Sequence, residues 1–183
     1  MAVKFASGNA YQTSLNEAER LVARLLMALI WFSWEIVRVP ARPAGFWTLA
    51  QEYVPGGRLL RMTVLNKDQH NQPVPMSWSP APNSDCGPDG LPANPDKTSL
   101  LCTTALYGAL IGKIGGSTSD LPDATPGTTS PWGSKKVFAA GATCILNLAL
   151  PDGGPLFLTM NDHPEKLSRH SGELLVSLQY YPL

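Results

Sequence analysis

The sequence predicts an all-β fold: a jelly-roll-like β-sandwich of about eight strands, preceded by one N-terminal amphipathic α-helix. Three observations carry this prediction. From Phe46 onward, apolar residues recur with period two or in short runs bounded by Gly, Pro, Asp and Asn. Glycine (16) and proline (17) are abundant while charged residues are only 15% of the chain, a balance that suits many tight turns. Before Phe46 the period is helical, with its own start and stop signals. The chain therefore divides into 1–45, a helix and linker that docks on protein or membrane, and 46–183, the sandwich.

The helix comes first. Ser14 and Glu17 have the capping-box spacing, and a helical run follows to Val39, where Pro40 stops it. On a helical wheel Glu17, Arg20, Arg24, Trp31, Glu35 and Arg38 share one sector, while Leu21, Leu25, Leu29, Phe32 and Ile36 belong to a broad apolar face. Glu35 and Arg38, spaced i, i+3, can pair along it. Such a face must be covered. Three covers fit: the protein's own sandwich or a sister chain, a bilayer crossed by the helix, or a lipid surface on which it lies flat. Crossing would bury Arg24 and Glu35 within the span, which requires a protein partner beside them. The polar lead is too long for a cleaved signal peptide. An extracytoplasmic or cell-envelope location is favoured, with the helix as anchor.

Eight strands follow, at 47–53, 58–65, 76–78, 106–114, 135–140, 144–150, 155–161 and 172–181. The last alternates plainly, with Leu174, Val176 and Leu178 set against Glu173, Leu175, Ser177 and Gln179. The turns are Gly56-Gly57, Pro151-Asp152-Gly153-Gly154 and the stretch 82–94. The polar, proline-rich segment 117–133 reads as a surface loop. Between the last two strands lies a polar loop holding Asp162, Arg169 and His170.

Charge and cysteine content exclude several classes. Lys plus Arg equals Asp plus Glu, 14 each, and no block of like charge occurs, so nothing points to a nucleic-acid partner. The three cysteines, Cys86, Cys102 and Cys144, cannot all pair within one chain. An oxidising compartment would allow a Cys86–Cys102 disulfide, and Cys144 reads as a small buried hydrophobe. No Cys/His spacing resembles a zinc site.

Four pieces of the second part occur in a recognisable order: Cys86-Gly87-Pro88-Asp89-Gly90; "GALIGKIG" from Gly108 to Gly115; Gly141 with 146–150; and Asn161-Asp162 followed by Ser171-Gly172. Over residues 56–181 this resembles the bacterial PA-I type galactophilic lectins and their galactose-binding-like domain family. The resemblance implies a small jelly-roll sandwich and a non-catalytic, carbohydrate-binding role. It also implies a calcium ion between the loop after the Asn-Asp pair and a loop following an early Trp, with sugar hydroxyls on the metal. Asp162 matches the family's aspartate ligand and the Lys166 carbonyl a main-chain ligand. Two side-chain ligands before Ser-Gly are asparagines in the family, and here Arg169 and His170 stand in their places. A guanidinium has five donors and no acceptor, so it cannot coordinate calcium. The expectation is a degenerate calcium site with no metal and no other cofactor, in which Arg169 fills the space and pairs with Asp162.

A second sugar-contacting stretch of the family is matched by Asn94-Pro95-Asp96-Lys97, of which Asn94, Asp96 and Lys97 can hydrogen-bond hydroxyls. Trp78, Trp132 and Tyr107 could offer an apolar platform to a pyranose face, although each reads first as core or rim. Enzyme readings lose. None of His70, His163 and His170 lies in a nucleophile-elbow context, and Gly112 to Gly116 lacks a phosphate-binding pattern. Asp152, Asp162 and Glu165 would serve a glycosidase only if the loops brought them together at one end. The resulting reading is a non-catalytic binding module with carbohydrate as its ligand. The alternative is an accessory structural subunit of a larger, membrane-linked assembly, attached through the N-terminal helix.

Overall fold

The structure, a computed structural model, describes residues 34–92, 100–118 and 137–182. All of them belong to a compact unit that begins at Trp34. The helix expected before Trp34, with Leu21, Leu25, Leu29 and Phe32, lies outside the described residues, as do Asn94, Asp96, Lys97 and Trp132.

The described residues form strands β1 (Trp34–Pro40), β2 (Thr48–Val54), β3 (Arg58–Val64), β4 (Trp78–Ser79), β5 (Leu110–Ile114), β6 (Val137–Ala139), β7 (Thr143–Leu148), β8 (Gly154–Met160) and β9 (Ser171–Pro182). They make two antiparallel sheets. One has the order β1-β9-β3-β7, with β4 added at the start of β9; the other has the order β2-β8-β5-β6. The fold of the described unit is all-β, and all eight sequence-predicted strands are present. The strand expected over 106–114 starts only at Leu110, because Gly108 turns the chain at φ +74°.

The sequence reading is corrected at β1. Residues 34–40 are a strand, not the end of a helix, so Ile36 belongs to no helix face. The segment is Trp-Glu-Ile-Val-Arg-Val-Pro, rich in β-branched residues, and β9 offers it a full antiparallel ladder from Trp34↔Gln179 to Pro40↔Glu173. Val39 is buried in the core and Val37 packs against it. Pro40 ends an edge strand, where a missing N–H costs little. Glu35 and Arg38 cannot pair as on a helix, since residues three apart lie on opposite faces of a strand. Arg38 instead bonds Glu173 across the sheet.

Both sheets feed one core. Val39, Leu60, Met62, Leu174 and Leu178 come from the first, and Leu110, Leu156, Leu158 and Met160 from the second. Each such side chain contributes about 1.5–3 kcal/mol by leaving water. The second sheet is also covered on its other face, where Phe157 and Ile111 meet Trp47, Leu101, Cys102 and Ala105. That is why β8 reads as a nearly unbroken apolar run rather than an alternation. Lys113 is buried on this face. Its ammonium sits 5.0 Å from the Trp47 ring centre and 4.9 Å from that of Phe157, and it donates to the Ser117 carbonyl at 2.7 Å. Cys86, Cys102 and Cys144 are free thiols, so the Cys86–Cys102 bridge is not formed.

Candidate functional site

The site is built where β8 ends and the chain turns toward β9. Sequence dictates the turn locally: Pro164 opens a 3-10 turn, Pro164–Arg169, and the His163 ring accepts from the Glu165 N–H at its start. Leu167 drops inward and is buried, which leaves Lys166 and Arg169 exposed and swings His170 back under the loop.

Asn161 and Asp162 are 0% and 1% exposed, so every polar atom they carry needs a partner. Asn161 acts as a hub. Its Oδ1 accepts from the Cys102 N–H at 2.9 Å, and its Nδ2 donates to the carbonyls of Cys102 (2.9 Å), Ala105 (3.2 Å) and Leu106 (3.0 Å). Its backbone bonds Ala109 and Gly108. One side chain thus shapes the loop 100–109. The Gly108 carbonyl in turn accepts from the Trp78 indole at 2.8 Å, which ties β4 to the same loop.

Asp162 Oδ1 accepts from the His163 N–H at 2.6 Å, and Oδ2 lies 2.8 Å from His170 Nε2. The other ring nitrogen, Nδ1, lies 3.1 Å from the Ala41 carbonyl, just beyond β1. His170 is 5% exposed. A carbonyl can only accept, so Nδ1 carries a hydrogen, and one more hydrogen lies between Nε2 and Oδ2. Wherever that shared proton sits, the buried pair has zero net charge. Tyr107 lies close by, its hydroxyl donating to the Pro80 carbonyl at 3.3 Å. Burial first, and then the Asp162 carboxylate, push this hydroxyl up to about 12.

The structure therefore brings Asp162 and His170 together and leaves Arg169 out. The expected Arg169–Asp162 pair is replaced by His170–Asp162, for a steric and electrostatic reason. The Leu167 anchor points Arg169 to water, where its charge is solvated, while a flat imidazole fits beneath the loop with a donor for each acceptor. This donor set does not suit calcium, which wants six to eight oxygens. Each Asp162 oxygen already accepts a hydrogen bond, an imidazole stands at one matched position and a guanidinium-bearing residue at the other. Trp78, only 1% exposed, is a core residue and no sugar platform. Asp152 and Asp162 flank opposite ends of β8, about 20 Å apart at the usual strand rise, so they do not form the carboxylate pair a glycosidase would need. The sequence reading flagged Asp162 and His170 individually. It missed the Ala41 carbonyl, because 34–40 was assigned to a helix, and it missed Asn161 as a hub because one amide gives no long-range signal.

No protein-family model matches the chain, and no curated protein does. Among solved structures it is similar to the EclA N-terminal domain, a PllA-like lectin, with a TM-score of 0.51 and 14% identity, over 82% of this chain and 98% of that one. At that identity the likeness concerns the fold, which is lectin-like.

Proposed function

We propose that the chain is a non-catalytic binding module, a jelly-roll-like sandwich of the galactose-lectin kind whose ligand is a carbohydrate. The fold likeness to a lectin domain is the observation that carries this reading. The end of the described unit holding Asp162, Tyr107 and the 3-10 turn is where such a ligand is expected; from the sequence, Asn94, Asp96 and Lys97 are further candidates to hydrogen-bond its hydroxyls. The exposed polar side chains of the 3-10 turn, Glu165, Lys166 and Arg169, suit a polyol, which needs several directed hydrogen bonds and little apolar area.

The test is retention of the full chain on immobilised galactose, followed by a glycan panel. Retention is expected, and Asp96→Ala and Lys97→Ala should each weaken it by about tenfold. No binding to any glycan in the panel defeats the reading.

A further inference from the structure

The residue that departs most usefully from the lectin pattern is His170. The resemblance implies a calcium ion lying between two loops, with the matching aspartate among its ligands. In this chain the Asp162 carboxylate meets Nε2 of His170 at 2.8 Å, and Nδ1 of the same ring reaches the Ala41 carbonyl at 3.1 Å. Both groups are buried, and Ala41 is fully buried as well. The imidazole thus does two things that a cation would do. It makes the buried pair neutral overall, and it cross-links the β8–β9 loop to the β1–β2 loop. A backbone bond from the Ala41 N–H to the Gly172 carbonyl at 2.9 Å closes the same junction from the other side.

We propose that His170 is a covalent replacement for the calcium ion of the lectin fold, so that the loop end of this chain is assembled, and takes its ligand, without any divalent metal. The ligand clause rests on the binding reading above; the assembly clause stands without it. A buried carboxylate must be neutralised or paired, its partner here supplies hydrogens in both required directions, and each oxygen of Asp162 already accepts a hydrogen bond from within the loop.

The experiment is thermal unfolding of the full chain in millimolar calcium and in EDTA, with calorimetric titration of calcium into the wild-type protein. The wild-type melting temperature should be the same in both buffers, and no calcium heat should be seen. His170→Ala should lower the melting temperature by roughly 6 to 15 °C, because it orphans a buried carboxylate. Asp162→Asn with His170→Gln keeps a neutral hydrogen-bonded pair, and should lose less than the two single changes added together. A calcium-induced rise in the wild-type melting temperature that Asp162→Asn removes would overturn the proposal. So would His170→Ala melting with the wild type. If His170→Ala does not fold, the wild-type calcium titration still decides. Glycan retention that survives EDTA supports the ligand clause. Retention that needs calcium sinks the proposal but keeps the binding reading, whereas absence of any glycan binding defeats that reading and leaves the melting results standing.

Discussion

At the carboxyl end of β8, Asn161 and Asp162 are buried and each of their side-chain polar atoms is hydrogen-bonded to a loop. At its amino end, Leu150 is 84% exposed and Tyr53 62% exposed, and the chain passes through Gly56, Gly57 and Gly153. The first end is shaped by side chains reaching backbone across large sequence distances. The second is shaped by close backbone approach: a Cβ on Gly56 would overlap the Leu150 carbonyl oxygen. The contrast separates two ways of fixing a turn. Buried polar hubs impose a single loop geometry at the cost of strict partner matching. Glycine contacts impose only shape and tolerate greasy residues in water beside them.

The sharpest way to break this contrast is Asn161→Ala. It removes four side-chain hydrogen bonds and strands the Cys102 N–H and the Ala105 carbonyl, while the Cys102 and Leu106 carbonyls keep backbone partners; urea denaturation should show a loss of about 3 kcal/mol. A loss below about 1 kcal/mol would mean that Asn161 is no hub. Gly56→Ala probes the other end. Overlap with the Ala149 and Leu150 carbonyl oxygens cannot be relieved by turning a side chain, and a loss of about 2 kcal/mol is expected in the same assay. The carboxyl end should also respond to alkali. Tyr107 is raised from 10.0 to about 12, mainly by burial, and so is Tyr180 in the core. The folded state keeps these protons longer than the unfolded chain does. The contribution is thus complete below pH 10 and is lost as the pH rises toward 12. Tyr107→Phe should flatten that decline in a pH series of denaturation midpoints. The smallest effect is at Leu150: Leu150→Ser should change stability by no more than about 0.5 kcal/mol, since its side chain stands in solvent.

Much of the fold was legible in the residues. β8 and β9 were located to within one residue, because Leu156, Leu158 and Met160, and Leu174, Val176 and Leu178, must point one way to reach a core. The β1 segment was misread because Ile36, Val37 and Val39 fit an apolar helix face as well as a strand, and only the presence of β9 alongside decides between them. In the candidate site, Asp162 and His170 could be flagged one by one. That His170 rather than Arg169 turns toward Asp162 depends on Leu167 anchoring the 3-10 turn, and local sequence does not encode which side of a short turn a protein will bury.

Taken alone, the chain's order of amino acids determined its class and all of its described strands but β1, because period and turn chemistry are properties of near neighbours. Tertiary structure decided that 34–40 joins the sheet, that Asn161 governs a loop 55 to 59 positions earlier in the chain, and that an imidazole bridges Asp162 to Ala41. Those outcomes depend on which groups meet after burial, where each hydrogen-bond donor must find an acceptor in space rather than in sequence.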